Sequence, residues 1–173
     1  MGTDRLTWFN ELPAGAARQA LLDCCSVPSW AELMAAARPY SSAHEATRRS
    51  GEIVAALTIT DLADALAGHP RIGERPDPAG GNSRAAAWSR REQSGVDADD
   101  TSTRQALAEA NRQYEQRFGH IYLVCAAGRS GTELLGVLRD RLQNEPGDEW
   151  QVVRSELQKI NALRLQRLMA GSP

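Results

Sequence analysis

The run Ile121-Tyr122-Leu123-Val124-Cys125, set between Phe118-Gly119-His120 and Ala126-Ala127-Gly128, decides the fold class by its isolation. Aliphatic, β-branched and aromatic residues side by side favour an extended backbone. No second run of this strength occurs in the chain, and one strand cannot build a sheet. The segment is therefore either a buried extended stretch or the start of a helix, and helices must supply the architecture.

Working outward, helical signals dominate both flanks. Upstream, Thr103 to Phe118 reads as a long helix stopped by Gly119. Downstream, Ser130 and Glu133 have the capping-box spacing and open a helix to about Asn144, which Pro146-Gly147 breaks. Asp148 then opens a final helix to about Leu168. Towards the N-terminus, Pro13 to Cys25 places Ala17, Leu21 and Cys24 on one face. Ser29 caps a helix from Trp30 to Arg38, ended by Pro39. Ser42 and Glu45 repeat the capping spacing before a helix whose Ile53, Val54 and Leu57 face inward. Thr60 and Asp61 open a shorter helix that Gly68 closes, and Ser83 to Gln93 forms another, stopped by Gly95. Residues 96–103 are polar and read as a loop. The expected fold is all-α, a single domain over 1–173 of about eight helices with one short extended segment.

Bulk properties narrow the function. With 20 basic and 22 acidic residues the net charge is -2, which offers nucleic acid no clustered cations. No apolar stretch approaches the roughly 20 residues of a membrane span, and the N-terminus lacks a signal-peptide pattern. Cys24, Cys25 and Cys125 make no disulfide framework, so a reducing cytoplasm is the expected compartment. No histidine, cysteine or acid pair has metal-ligand spacing, and Cys24-Cys25 are adjacent rather than two apart. No metal is expected.

The helical pattern breaks over residues 68–83, which hold three prolines and four glycines. Such a loop inside a compact domain is usually functional or disordered. It contains Gly68-His69-Pro70-Arg71-Ile72-Gly73-Glu74. Pro70 fixes its own φ and drives His69 away from the helical region, and histidine is the side chain suited to proton transfer near neutrality. A solvated structural histidine is the other reading. On the next helix Ser89, Glu92 and Gln93 project from one face, with Trp88 one turn from Glu92. A hydroxyl, a carboxylate and an amide together suit a small polar heterocycle; a solvated face pairing Glu92 with Arg90 or Arg91 is the alternative. Gly128-Arg129-Ser130-Gly131 enters a helix N-terminus, able to hold an anion or simply complete as a cap. Cys125 and Arg129 faintly suggest a tyrosine-phosphatase loop, but only three residues separate them where that loop requires five.

Taken together, these motifs resemble the decarboxylases of 2-oxo-4-hydroxy-4-carboxy-5-ureidoimidazoline (OHCU). The residues that carry the resemblance are Phe9-Asn10, the run from Leu22-Asp23-Cys24-Cys25 through Trp30-Ala31 and Met34 to Arg38-Pro39-Tyr40, then His69-Pro70-Arg71-Ile72-Gly73, Ser89-Arg90-Arg91-Glu92-Gln93, Asn111 with Tyr114 before Phe118-Gly119, Gly128-Arg129-Ser130, and Glu156-Leu157 through Lys159-Ile160 to Leu163-Arg164-Leu165. Their order spans nearly the whole chain. The resemblance implies a cofactor-free carboxy-lyase of urate breakdown that releases (S)-allantoin, working as a homodimer on a small-molecule substrate, without nucleic acid or membrane. It implies His69 as the catalytic histidine and Glu92 as the catalytic carboxylate. It further implies substrate contacts from Pro70, Ser89 and Gln93, from Phe118 and Ile121, Tyr122 and Leu123 of the extended segment, and from Arg164 of the last helix.

Overall fold

The computed structural model describes residues 4–73, 84–97 and 101–170. Among them are ten helices: α1 (Arg5–Glu11), α2 (Ala14–Leu22), α3 (Pro28–Ala36), α4 (Ala43–Ala56), α5 (Ile59–Ala67), α6 (Arg84–Glu92), α7 (Ser94–Asp97), α8 (Thr101–Phe118), α9 (Gly131–Arg141) and α10 (Pro146–Ala170). The described residues contain no strand, so the chain is all-α. The eight helices expected from sequence are all present. The two beyond them are α1 and the four-residue α7, both too short for a clear periodic signal. The rest of the proline- and glycine-rich loop, 74–83, lies outside the described residues, as do 98–100.

Local chemistry explains the helix starts. Ser42 accepts from Glu45 N–H at 3.1 Å, and Ser130 with Glu133 forms a complete capping box at α9. α5 is capped two residues earlier than the sequence suggested, at Thr58 rather than Thr60. Thr58 Oγ1 accepts from Asp61 N–H at 3.1 Å while Asp61 Oδ2 accepts from Thr58 N–H at 2.9 Å. Pro146, read from sequence as a breaker, is instead the first residue of α10, where its missing N–H costs nothing.

The chain forms two compact units, Met1–Ala65 with Leu157–Pro173, and Leu66–Glu156. In the first, α2 packs on α3 and α3 on α4. Its buried residues include Phe9, Leu21, Trp30, Met34, Leu62 and Leu165. Trp30 Nε1 donates to the buried Ser50 hydroxyl at 3.1 Å. An open groove of about 320 Å³ in this unit is lined by Ser29, Leu33, Arg49, Glu52, Ile53, Ala56, Leu57 and Asp61, none of them an expected site residue.

In the second unit α8 packs on α9, and α7 on both α6 and α9. Its core gathers Ile72, Val96, Leu107, Tyr114, Tyr122, Val124, Ala126, Leu134 and Leu138. Full burial of each large apolar side chain contributes about 1.5–3 kcal/mol. Tyr122, Val124 and Ala126 are alternate residues that all enter this core, the two-residue period of an extended run. Of the two readings left open for residues 121–125, the extended one holds.

Candidate active site

His69 follows the end of α5, where its N–H donates to Leu66 O at 3.0 Å. Its ring is half-buried and Nε2 is out of contact with solvent. The loop after it is pinned from several sides. Ile72 is buried in the core, and its carbonyl accepts from the Asn111 side-chain amide at 2.9 Å. Arg71 meets Glu115 in a two-pronged pair, Nε and Nη2 to the two carboxylate oxygens at 2.5 and 2.9 Å. This pairing holds the Glu115 carboxyl below its usual range. Gly73 adopts a φ of 82°, open to glycine at little cost, and its N–H donates to Gln93 Oε1 at 3.1 Å.

That last bond ties the His69 loop to the end of α6. Ser89 and Glu92 lie on the buried face of this helix, each 7% exposed. The solvated reading of that face is therefore set aside. Trp88 is half-buried, with the Arg84 guanidinium 5.9 Å above its ring. Gly95 is required just beyond: a Cβ there would stand 2.2 Å from the Arg129 carbonyl oxygen. The turn in which Arg129 N–H donates to Ala126 O therefore seats directly on the α6–α7 junction.

The extended segment completes the unit. Phe118 is half-buried at the end of α8, its ring 4.7 Å from Tyr114 and 6.0 Å from His120. Tyr122 is 1% exposed and its hydroxyl donates to Leu134 O at 3.1 Å. Its side chain is thus spent on the core, and burial pushes its phenol far above the usual range. Leu123 is also buried, and its carbonyl accepts from Arg141 Nη1 at 2.7 Å. The side chains of Tyr122 and Leu123 are both committed to the fold. His120 stacks on Trp150 at 4.2 Å between ring centroids, and His44 is exposed.

Cys125 shows how close α6 comes to this segment. Burial pushes its thiol up, and the carboxylates of Glu156 and Glu92 act in the same direction. A phosphatase cysteine needs the opposite field, one that favours thiolate, so the phosphatase reading fails here. Among the described residues no group of three or more His, Cys, Asp or Glu side chains is placed to hold a metal ion.

Sequence reasoning missed a buried ionic cluster behind the segment. Glu149, fully buried, accepts from Arg141 Nε at 2.8 Å and Nη2 at 2.5 Å, from Asn144 Nδ2 at 2.7 Å, and from the Tyr114 hydroxyl. Burial works against the Arg141 charge, but the Glu149 hydrogen bonds outweigh it and hold the guanidinium protonated. Glu149 follows a helix-starting proline and looks like an ordinary first-turn acid in sequence. Arg164 belongs to the first unit, where it is buried and its Nη1 donates to Cys24 O at 3.3 Å.

Comparisons with known proteins bear on this arrangement. The chain is 36% identical over 149 residues to the uric acid degradation bifunctional protein TTL of Arabidopsis thaliana, covering 85% of this chain and 45% of that protein. It is 30% identical over 132 residues to the 2-oxo-4-hydroxy-4-carboxy-5-ureidoimidazoline decarboxylase of Amia calva, covering 76% of this chain and 75% of that one. The crystal structure of an OHCU decarboxylase in the presence of (S)-allantoin superposes with a TM-score of 0.73 at 31% identity, over 86% of this chain and 95% of that chain. An (S)-allantoin synthase structure shares the fold, with a TM-score of 0.69 at 15% identity over 95% of this chain and 54% of that one. A statistical description of the OHCU decarboxylase family matches residues 10–166, a span that takes in the His69 loop, α6 and the extended segment. This chain belongs to the OHCU decarboxylase family.

Proposed function

We propose that the chain is itself an OHCU decarboxylase, converting 2-oxo-4-hydroxy-4-carboxy-5-ureidoimidazoline to (S)-allantoin in urate degradation. The observation that carries the reading is the Gly73–Gln93 hydrogen bond, which joins the His69 loop to the helix that buries Ser89 and Glu92. The family span over 10–166 runs through both compact units and supports a single functional domain.

In the reaction the bond between the hydroxyl-bearing ring carbon and its carboxylate breaks and CO₂ leaves. The electron pair enters the ring. The hydroxyl becomes a carbonyl as its proton passes to His69, while one proton is added to the ring nitrogen that takes up the electron pair and one to the ring carbon bearing the ureido group. His69 acts as the proton handler at the hydroxyl. Glu92 stands at the substrate carboxylate, disfavouring the bound anion, and after CO₂ departs it takes up a proton from solvent and passes it to the ring. Ser89, Gln93, Pro70 and the backbone from Phe118 through Ile121 to Leu123 hold one face of the ring, so that one enantiomer forms. The role of Arg164 as an anchor for substrate oxygens rests on the family resemblance alone. No cofactor enters this scheme. A reducing cytoplasm is the compartment that fits a sequence whose three cysteines make no disulfide framework. A homodimer follows from the same resemblance, and sedimentation equilibrium checks it.

Freshly generated substrate tests the reading by circular dichroism of the product. Rapid formation of (S)-allantoin is expected, and a racemic product with no gain over the spontaneous rate overturns it. His69→Ala lowers kcat/KM by about 10²–10⁴-fold, the usual worth of a positioned proton-transfer group, with an unchanged melting temperature; full retained activity removes His69 from its role.

A further inference from the structure

The segment 121–125 is extended with no strand beside it. Among the described residues, none of its backbone groups takes part in a backbone–backbone hydrogen bond. In a sheet the ladder would hold such a run in register; here side chains do. Arg141 Nη1 donates to Leu123 O at 2.7 Å, and Glu156 Oε2 accepts from Cys125 N–H at 2.8 Å. Leu123 and Cys125 are alternate residues, so both bonds act along one edge of the run. Val124, between them, turns its own amide and carbonyl to the opposite edge and its side chain into the core. Glu156 is 7% exposed, so its bond is charge-assisted and little screened.

We propose that Glu156 is a positioning residue of the decarboxylation: together with Arg141 on the same edge, its carboxylate holds the 123–125 backbone in the extended register that meets the substrate ring. This rests on the decarboxylase reading and adds to it a residue that touches no substrate. The same carboxylate bears on the Cys125 thiol together with that of Glu92, so the clamp and the proposed proton-handling acid converge on one residue.

The full chain with Glu156→Ala, Glu156→Asp and Glu156→Gln tests it. Readouts are Cys125 amide exchange by NMR, kcat and KM separately, and product enantiomeric excess, all well below each variant's melting temperature. Glu156→Ala is expected to speed Cys125 exchange, to lower kcat by roughly 10- to 100-fold through misplacement of the segment, and to erode enantiomeric excess. Glu156→Gln keeps an acceptor oxygen and is expected to restore most of the rate and selectivity. If Glu156→Ala does not fold, Glu156→Asp withdraws the acceptor by one methylene and should show the same losses in smaller measure. Wild-type kcat, KM and selectivity in Glu156→Ala or Glu156→Asp overturn this inference and leave the decarboxylase reading intact. A wild-type chain with no rate gain over the spontaneous reaction overturns both.

Discussion

Gly95 carries more of the site than its size suggests. A Cβ at this position would meet the Arg129 carbonyl oxygen at 2.2 Å, and backbone on backbone has no side chain to move aside. Gly95→Ala is therefore expected to destabilise by about 1–3 kcal/mol, the usual cost of overpacking. It should also lower kcat/KM, because the 126–129 turn and α7, which follows directly on α6, would have to part. Gly15→Ala is the control: nothing lies within 4 Å of its Cβ, and it should be neutral or stabilising by up to about 1 kcal/mol. Urea unfolding of the two variants checks both signs. In sequence Gly95 reads only as a helix stop. Its function as a point of contact depends on a residue thirty-four positions later.

Helices α9 and α10 illustrate how an element's visible signal and its structural worth diverge. The Ser130 capping box is plain in sequence and present in the structure. Ser130→Ala should cost about 1 kcal/mol, because water can replace much of an exposed cap. Glu149, in the first turn of α10, has no motif, yet it is the partner of the buried Arg141. Glu149→Ala should cost about 3–5 kcal/mol, since it strands an uncompensated buried guanidinium, and it should loosen the Leu123 carbonyl that Arg141 holds. Denaturant midpoints for the two variants test the ordering; a smaller loss for Glu149→Ala than for Ser130→Ala would contradict it. Among the described residues no helix is long and apolar enough to cross a membrane.

Across the molecule, stability should depend on pH asymmetrically. Burial raises the thiols of Cys25 and Cys125 and the phenols of Tyr114 and Tyr122, and pushes Tyr40 up to about 12. A group whose folded value is raised binds its proton more tightly when folded. Its contribution is complete below the unfolded value and is lost as pH climbs towards the folded one. The melting temperature should therefore begin to fall above about pH 8.5, the ordinary thiol value, and fall more steeply past about pH 10, where free phenols ionise. On the acid side the lowered Glu115 carboxyl works the other way. Its contribution is complete above about pH 4.3 and fades as pH drops through the folded value. Half-exposure of its Arg71 partner keeps that effect small. Melting curves from pH 3 to 11 check the profile, and a melting temperature that rises between pH 9 and 11 would contradict it.

Local chemistry by itself determined the helices. Caps, prolines and apolar periodicity act between residues a few positions apart, so Ser42, Ser130 and the isolation of Ile121–Cys125 were legible without a structure. The candidate residues His69, Ser89, Glu92 and Gln93 were legible too, partly as a helix face and a rigid loop and mainly through the pattern of a family. Only the tertiary structure decided what joins them. The Gly73–Gln93 bond, the Asn111 hold on Ile72, the seating of Gly95 on Arg129, and the clamps of Arg141 and Glu156 on an unpaired extended segment link residues twenty to forty positions apart in most cases. Such bonds depend on which polar groups the folded core leaves buried and obliged to find a partner, and periodicity along the chain carries no record of that obligation.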